Sequence, residues 1–429
     1  MSDDTGLSQP TSRRTAIPSF GTLKSAIVAG AVVFVACFVA RWTIIGLAAR
    51  VDEELHLLQI EEFMRGDLRM YVPPGRVYPF LAMLPGYHLV VAGIAKVVGC
   101  RSLDDMRGIA LALSLLLLPA AYGVARHFDP LRPGLRAVQL FCFPTVFALS
   151  FVLYTDVFAL TLSLASLAAC LAGRFAAGGL LGLAGLIVRQ TNIVFLTLTP
   201  LFAYFRLPPE TRPSVLEILA RSWAFFAAIV FLAAFVMANG GRLPLCSPKF
   251  QSVQGIHGIN VLFSAATGAV MLLPWLIFSL PRTWGRFRRS PQPFAVGALL
   301  LLLTCLLVPA GDIRNRVEVM PELLRNYLLQ ATLGTFSGRL LMAVAAGWLI
   351  ATAFSAGFER YALPLVALVW LGTLLPVELV EPRYYLPSYA VLILLRPPLP
   401  AYQEWIVLGY SVAGGLALHW VHTQTTFFL

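Results

Sequence analysis

Long apolar runs separated by short polar stretches set the character of this chain. The first run extends from about residue 26 to 49, after Arg13, Arg14 and Lys24. It is too long and wrongly flanked for a cleaved leader, so it predicts a first transmembrane helix with a cytoplasmic N-terminus. Further spans are expected near 81–99, 108–125, 137–153, 157–173, 177–188 with 191–205, 219–237, 258–280, 293–310, 335–357, 361–378, 385–396 and 404–420. Strict in–out alternation puts the basic linker RHFDPLRPGLR (Arg126 to Arg136) outside, against the positive-inside bias. One early segment is therefore expected to re-enter or not to cross. PRTWGRFRRSP (residues 281–291) is the better cytoplasmic anchor.

Composition agrees with this pattern. Of 429 residues, 58% are hydrophobic and 12% charged, and the mean hydropathy is +0.78. At about 20 residues per bilayer-spanning helix, that supply fits about twelve spans and leaves little chain for a soluble domain. The expectation is an all-α polytopic membrane protein: residues 1–25 a cytoplasmic polar tail, 26–420 one multi-span domain. Nucleic-acid binders, secreted disulfide scaffolds and disordered chains are excluded, so the net charge of +11 is a topology signal. The cysteines show no C-x-x-C or nearby His and read as small apolar residues, with no metal or cofactor expected; a Cys100–Cys246 disulfide stays open.

The few polar residues are then conspicuous. After the first run comes VDEELHLLQIEEFMRGDLRMYVPPGRVYP (51–79), which holds six of the 21 acidic residues: Asp52, Glu53, Glu54, Glu61, Glu62 and Asp67. Leu55, Leu58 and Phe63 among these charges predict a short helix lying on the membrane surface. A carboxylate beside apolar walls can serve as a general base toward a sugar hydroxyl, and Asp52 and Glu53, at the end of the first span, are placed for that; the plain alternative is a hydrated loop. Ionisable residues inside apolar segments are costly and point to function. Tyr154, Thr155 and Asp156 interrupt one run, Arg189, Gln190, Thr191 and Asn192 a second, and Glu378, Glu381, Arg383, Tyr384 and Tyr385 a third. Arginine suits a phosphate; equally, these are snorkelling helix ends or an internal ion pair such as Asp156 with Arg189.

These motifs also carry a resemblance. VDEELHLLQ (Val51 to Gln59), Pro85–Gly86, YTDV (Tyr154 to Val157), RQTNI (Arg189 to Ile193) and LVEPRYYLPSY (Leu379 to Tyr389) resemble, in order and spacing, the dolichyl-phosphate-glucose-dependent α-1,2-glucosyltransferases. Those enzymes add the last glucose to the lipid-linked N-glycan precursor in the endoplasmic reticulum. The resemblance implies a GT-C type architecture with the active site on an external first loop (51–80), and an inverting transfer of a hexose from a polyprenyl-phosphate donor to a lipid-linked glycan acceptor. It implies Asp52 as base, Glu53 and His56 completing its motif, Arg189, Gln190 and Asn192 lining the cavity, Arg383 on the donor phosphate, and Asp156, Glu381 and Tyr384 near substrate. The chain departs from the family at GDIRNRVEV (Gly311 to Val319), which lacks the expected His and Tyr, and in the 239–260 loop. The partners implied are donor, acceptor and membrane lipid, with no nucleic acid; the compartment is the endoplasmic reticulum membrane, or a bacterial inner membrane. The competing reading is a lipid-linked-sugar flippase gated by Asp156 and Arg189, which the absence of internal repeats disfavours.

Overall fold

The computed structural model describes residues 20–50, 52–72, 74, 79, 81–207, 209–241, 257–307, 315–321, 323–359, 361–377 and 379–425, with side chains from residue 27 onward except that of 211. The tail up to residue 19, Val51, Cys246 with most of the 239–260 loop, residues 311–314 and Glu378 lie outside the described residues. Among the described residues every regular element is a helix, as the hydropathy pattern predicts.

In chain order these are α1 (Phe20–Ile44), α2 (Glu53–Arg65), α3 (Gly86–Val98), α4 (Leu103–Leu115), α5 (Leu117–Ala125), α6 (Pro133–Phe141), α7 (Pro144–Leu149), α8 (Asp156–Leu171), α9 (Phe175–Val188) and α10 (Ile193–Arg206). There follow α11 (Val215–Arg221), α12 (Trp223–Ala238), α13 (Gly258–Met271), α14 (Leu273–Arg289), α15 (Pro291–Leu307), α16 (Leu324–Leu333), α17 (Phe336–Ser355), α18 (Ala362–Leu374), α19 (Leu386–Leu395) and α20 (Ala401–Gln424).

Sidedness shows already in α1. Ala29, Val33, Ala36, Ala40 and Ile44 are buried at three- to four-residue spacing, while Phe34, Val35, Phe38 and Trp42 are exposed. Small residues on the inner stripe let the backbone approach α6 and α20, and the bulky outer stripe meets acyl chains. Close approach recurs at Gly179 of α9, where an added Cβ would stand 2.7 Å from the Ala224 Cβ of α12.

Contacts between helix ends define two faces of the bundle. Arg41, near the end of α1, donates to the Asp104 carbonyl at 2.7 Å, and the Gly46 N–H donates to the Asp104 carboxylate at 2.9 Å. The chain between α1 and α4 thus leaves and returns at one face, and α2 and α3 lie on that side. At 1.5 Å per residue the 13 residues of α3 reach about 20 Å, short of an about 30 Å hydrocarbon core. The helix in the expected 81–99 span is therefore shorter than the hydrocarbon core it would have to cross. The next stretch, Leu103–Ala125, does have the length and hydropathy to cross, and it delivers the basic 126–136 linker to the opposite face. There Arg206 donates to the His127 carbonyl and pairs with Glu359, Arg132 donates to the Leu399 carbonyl, and Arg282 donates to the Ala356 carbonyl. The positive-inside bias assigns this basic face to the cytoplasmic side.

Among the described residues three helices are long and apolar enough to cross a membrane unaided, Ile27–Ile44, Leu103–Ala125 and Phe336–Ser355. Counting two bent pairs, α11 with α12 (61°) and α13 with α14 (94°), gives up to five. Five further apolar helices have 10–17 residues. These are fewer continuous spans than the about twelve that composition allows, because prolines and polar breaks shorten many helices. Such breaks are tolerated where surrounding protein satisfies the freed backbone groups.

A buried charge network closes the cytoplasmic face. Glu404 at the start of α20 takes Arg396 (2.5 Å), Arg136 (3.0 Å), the Gln139 amide (2.9 Å) and the Leu399 N–H (2.8 Å), while Asp129 takes Arg136 at 3.4 Å. Removing one partner of such a set leaves an uncompensated buried charge. Glu404→Ala is expected to destabilise the protein by about 3–5 kcal/mol, read as a lowered thermal unfolding midpoint in detergent; the paired apolar change Glu404→Leu with Arg396→Met costs less. An unchanged midpoint for Glu404→Ala would contradict the network's role.

Candidate active site

On the opposite, external face the chain builds a pocket of charge. Its foundation is Glu53, the first residue of α2, which is fully buried and bridged by Arg107 of α4 through Nε to Oε1 (2.9 Å) and Nη2 to Oε2 (2.6 Å). The Leu153 and Arg50 N–H groups complete the carboxylate's shell at 3.1 and 3.2 Å. Arg107 also donates to the carbonyls of Leu47 (2.7 Å) and Ala48 (3.0 Å), where the chain leaves α1. Glu53 is thus a fastening between α1, α2, α4 and the stretch of chain leading into α8; its oxygens are all engaged.

That fastening aims Asp52, one residue earlier. Aspartate in the N-cap position ordinarily accepts a hydrogen bond from its own helix, yet the Asp52 side chain makes none. It accepts instead from Arg383 Nη2 at 3.1 Å and remains a third exposed. Arg383 Nε is bound at close range by Glu381, whose other oxygen lies 3.4 Å from Arg325 of α16. Burial pushes the Glu381 carboxyl up, but the Arg383 and Arg325 charges outweigh it and hold it below the usual carboxylate range. Arg383 Nη1 is buried with no hydrogen-bond partner among the described residues.

The 375–381 loop that carries Glu381 is itself pinned. Asn260 of α13 donates to the carbonyls of Val377 (2.5 Å) and Leu379 (3.1 Å), Tyr385 donates to Asn260 (3.1 Å), and the Val380 N–H donates to Asn315 (3.0 Å). A 3₁₀ turn, Pro382–Tyr385, then turns Arg383 and Tyr384 toward α8.

A second ion pair faces the first. Arg189 adopts an extended conformation (φ −153°) that ends α9, and it reaches Asp156 at the start of α8 at 2.6 Å and the Thr155 hydroxyl at 3.1 Å. The internal pair anticipated from sequence is therefore present, with Asp156 Oδ2 buried and unpaired among the described residues. Tyr384 sits between the two arginines, its ring centroid 5.3 Å from Arg189 and 5.8 Å from Arg383, and Arg383 also stands 5.2 Å above the Tyr154 ring. Asp52, Asp156, Glu381, Arg189, Arg383 and Tyr384 are thus brought together.

Two residues expected to line the cavity are engaged elsewhere. The Asn192 amide donates to the carbonyls of Ala159 (3.0 Å) and Gly185 (3.1 Å), tying α8 to α9, and Gln190 donates to the Ala82 carbonyl at 2.8 Å. They position Arg189 between them. Gly86 serves the same corner, since a Cβ there would lie 2.7 Å from the Ile187 carbonyl oxygen.

His56 is also withdrawn from solvent, one turn below Asp52. Its Nδ1 shares a hydrogen bond of 2.8 Å with His88 Nε2, and its ring packs 5.2 Å from Tyr154. Burial, then His88 and the Arg383 and Arg189 charges, hold its pKa well below the usual range. A neutral His56 supports the Tyr154 ring on which Arg383 rests. Arg107, Arg325, His88, Asn260 and Asn315 went unflagged by sequence reading; a buried arginine early in an otherwise apolar helix was the available signal for Arg107. Among the described residues no group of three or more His, Cys, Asp or Glu is arranged around a metal position, and Cys100 is a free thiol.

Comparison with known proteins bears on this geometry. Residues 48–207 match the model of the DIE2/ALG10 family. The chain is 27% identical over 161 residues to the rat (Rattus norvegicus) protein named Dol-P-Glc:Glc(2)Man(9)GlcNAc(2)-PP-Dol alpha-1,2-glucosyltransferase, covering 34% of this chain and 33% of that one. It is 26% identical over 159 residues to the Arabidopsis thaliana protein of the same name, covering 34% and 31%. The match thus spans about a third of the length of these relatives. Among solved structures, ArnT from Cupriavidus metallidurans bound to undecaprenyl phosphate superposes with a TM-score of 0.48 at 13% identity, over 94% of this chain and 78% of that one. The matched segment runs from the exit of α1 to the end of α10 and contains Asp52, Glu53, Arg107, Asp156 and Arg189, while Glu381 and Arg383 lie beyond it. Over that segment the chain is similar to the DIE2/ALG10 family.

Proposed function

We propose that this integral membrane protein is an inverting glycosyltransferase of GT-C type, moving a hexose, glucose by analogy with its relatives, from a polyprenyl phosphate to a hydroxyl of a lipid-linked glycan. The observation that carries the reading is the Asp52–Arg383 contact. It pairs a carboxylate able to act as base with a guanidinium whose Nη1 is unsatisfied, at the external end of a helical bundle. The arginines and carboxylates of the site are balanced, Arg189, Arg325 and Arg383 against Asp52, Asp156 and Glu381. A phosphodiester arriving at Arg383 competes with Asp52 for the guanidinium and frees the carboxylate. Asp52 then takes the proton of the acceptor hydroxyl, the oxygen attacks the anomeric carbon from the face opposite the phosphate, and the carbon–oxygen bond to phosphate breaks with inversion. The departing phosphate keeps both electrons of that bond, and Arg383 and Arg189 neutralise the charge it gains. Residues 26–420 act as one domain in this scheme, and the active face is lumenal in the endoplasmic reticulum for a dolichyl donor. A bacterial inner membrane is the alternative, which preference for an undecaprenyl donor would indicate.

Radiolabelled transfer in detergent, with glucose and mannose donors offered together, tests the reading. Formation of a glycosidic bond supports an enzyme; its absence with intact donor binding supports a flippase. Asp52→Asn is expected to lower turnover by about 10²- to 10⁴-fold while donor still binds, and near-normal turnover would remove Asp52 from the role of base. Arg383→Gln is expected to raise the donor KM, with Arg383→Lys intermediate because lysine keeps the charge and loses the planar fork. An unchanged donor KM in Arg383→Gln would exclude this arginine as the phosphate site.

A further inference from the structure

The cytoplasmic face carries a helix that the chemistry above does not use. α14 turns 94° away from α13 at Leu272, so if α13 runs across the membrane, α14 runs along its surface. One side of α14, through Trp275, Leu276, Ser279 and Thr283, is buried against the bundle. Exposed residues flank that buried side in two groups. Ile277, Leu280 and Trp284, each about half exposed, recur at three- and four-residue spacing. Roughly opposite them on the helical wheel stand Arg282, Arg286 and Arg289, all exposed. Arg282 and Arg286 donate to the carbonyls of Ala356 and Phe354 at the end of α17, while Arg288 extends from the apolar side and folds over the Trp284 ring at 5.2 Å. No acidic residue occurs in the sequence between Glu217 and Asp312 to neutralise this cluster.

We propose that α14 is an interfacial helix that binds anionic phospholipid headgroups at the cytoplasmic surface. An apolar stripe with a tryptophan beside a run of arginines is the pattern that seats a helix at the acyl–headgroup boundary and draws acidic lipid to it. The charge match fixes the occupant: four arginines without a facing carboxylate on their own helix attract a negative headgroup, whereas a zwitterionic one offers no net charge. Arg288 and Arg289 are available for this, because neither is engaged in an ion pair among the described residues.

The test uses the full chain purified in detergent and follows its thermal unfolding with added phosphatidylglycerol or phosphatidylcholine. Phosphatidylglycerol is expected to raise the midpoint, phosphatidylcholine to leave it unchanged, and added salt to reduce the rise. The Arg288→Gln/Arg289→Gln variant should unfold like the parent in detergent alone and lose at least half of the rise, which Arg288→Lys/Arg289→Lys should retain. Equal rises in the Gln variant and the parent, equal effects of the two lipids, or the same rise from inorganic phosphate would overturn the proposal. Should the Gln variant be unstable in detergent, brominated lipids decide with the parent and Trp284→Phe: quenching lost with Trp284 and stronger from brominated phosphatidylglycerol supports the assignment, and equal quenching by both lipids refutes it.

Discussion

A glutamate and an arginine shut away from solvent, Glu53 and Arg107, decide where the external segment begins. Burying an ion pair is costly unless nearly every donor and acceptor finds a partner, and here they do. Glu53 accepts from Arg107 twice and from two backbone N–H groups, and Arg107 spends its remaining donors mainly on the carbonyls of Leu47 and Ala48. The pair therefore sets the exit of α1, the first turn of α2 and the approach to α8 in one step. Asp52 precedes Glu53 and Tyr154 follows Leu153, so two walls of the charged pocket hang from one buried contact. The two adjacent acidic residues divide the duties: Glu53 is consumed by the fastening, while Asp52 stays a third exposed beside Arg383.

The second constraint is electrical balance. Three guanidiniums and three carboxylates share the pocket, joined as Arg325–Glu381–Arg383–Asp52 and as Asp156–Arg189. An added anion finds a free donor at Arg383 Nη1 and, to take the rest of that guanidinium, competes with a carboxylate. Among the three, Asp52 is the carboxylate to displace, because it is the most exposed and touches Arg383 through a single nitrogen, while Glu381 bridges two arginines.

The physics that made parts of this legible in sequence also explains what was hidden. Asp156, Arg189 and Arg383 stood out because an ionisable residue in an apolar run is expensive, and each proves to be paired. Asp52 stood out through the density of acids around it. Sequence spacing says nothing, however, about partners 54 or 331 positions apart, so the contacts of Glu53 with Arg107 and of Asp52 with Arg383 were hidden. Gln190 and Asn192 show a related limit: a buried amide signals an obligation to be hydrogen-bonded, and here backbone carbonyls discharge it. The stripe of α2 that faces inward is polar at Glu53, His56 and Gln59, so of the apolar residues that periodicity picked out Phe63 is buried while Leu55 and Leu58 are only partly so.

The same limit appears in topology. Hydropathy measures how apolar a segment is, and α3 is apolar, yet its Tyr87, Val91, Ala92 and Ala95 are buried against protein, next to α2 and α9. Its greasiness serves the floor of the external pocket. Charge placement was the better guide, since Arg126 to Arg136 lie on the basic face only if one early apolar segment stays outside. A helix this short, with His88 facing His56, suits both the charge distribution and the site: His88 of α3 backs His56, which packs against Tyr154, on whose ring Arg383 rests.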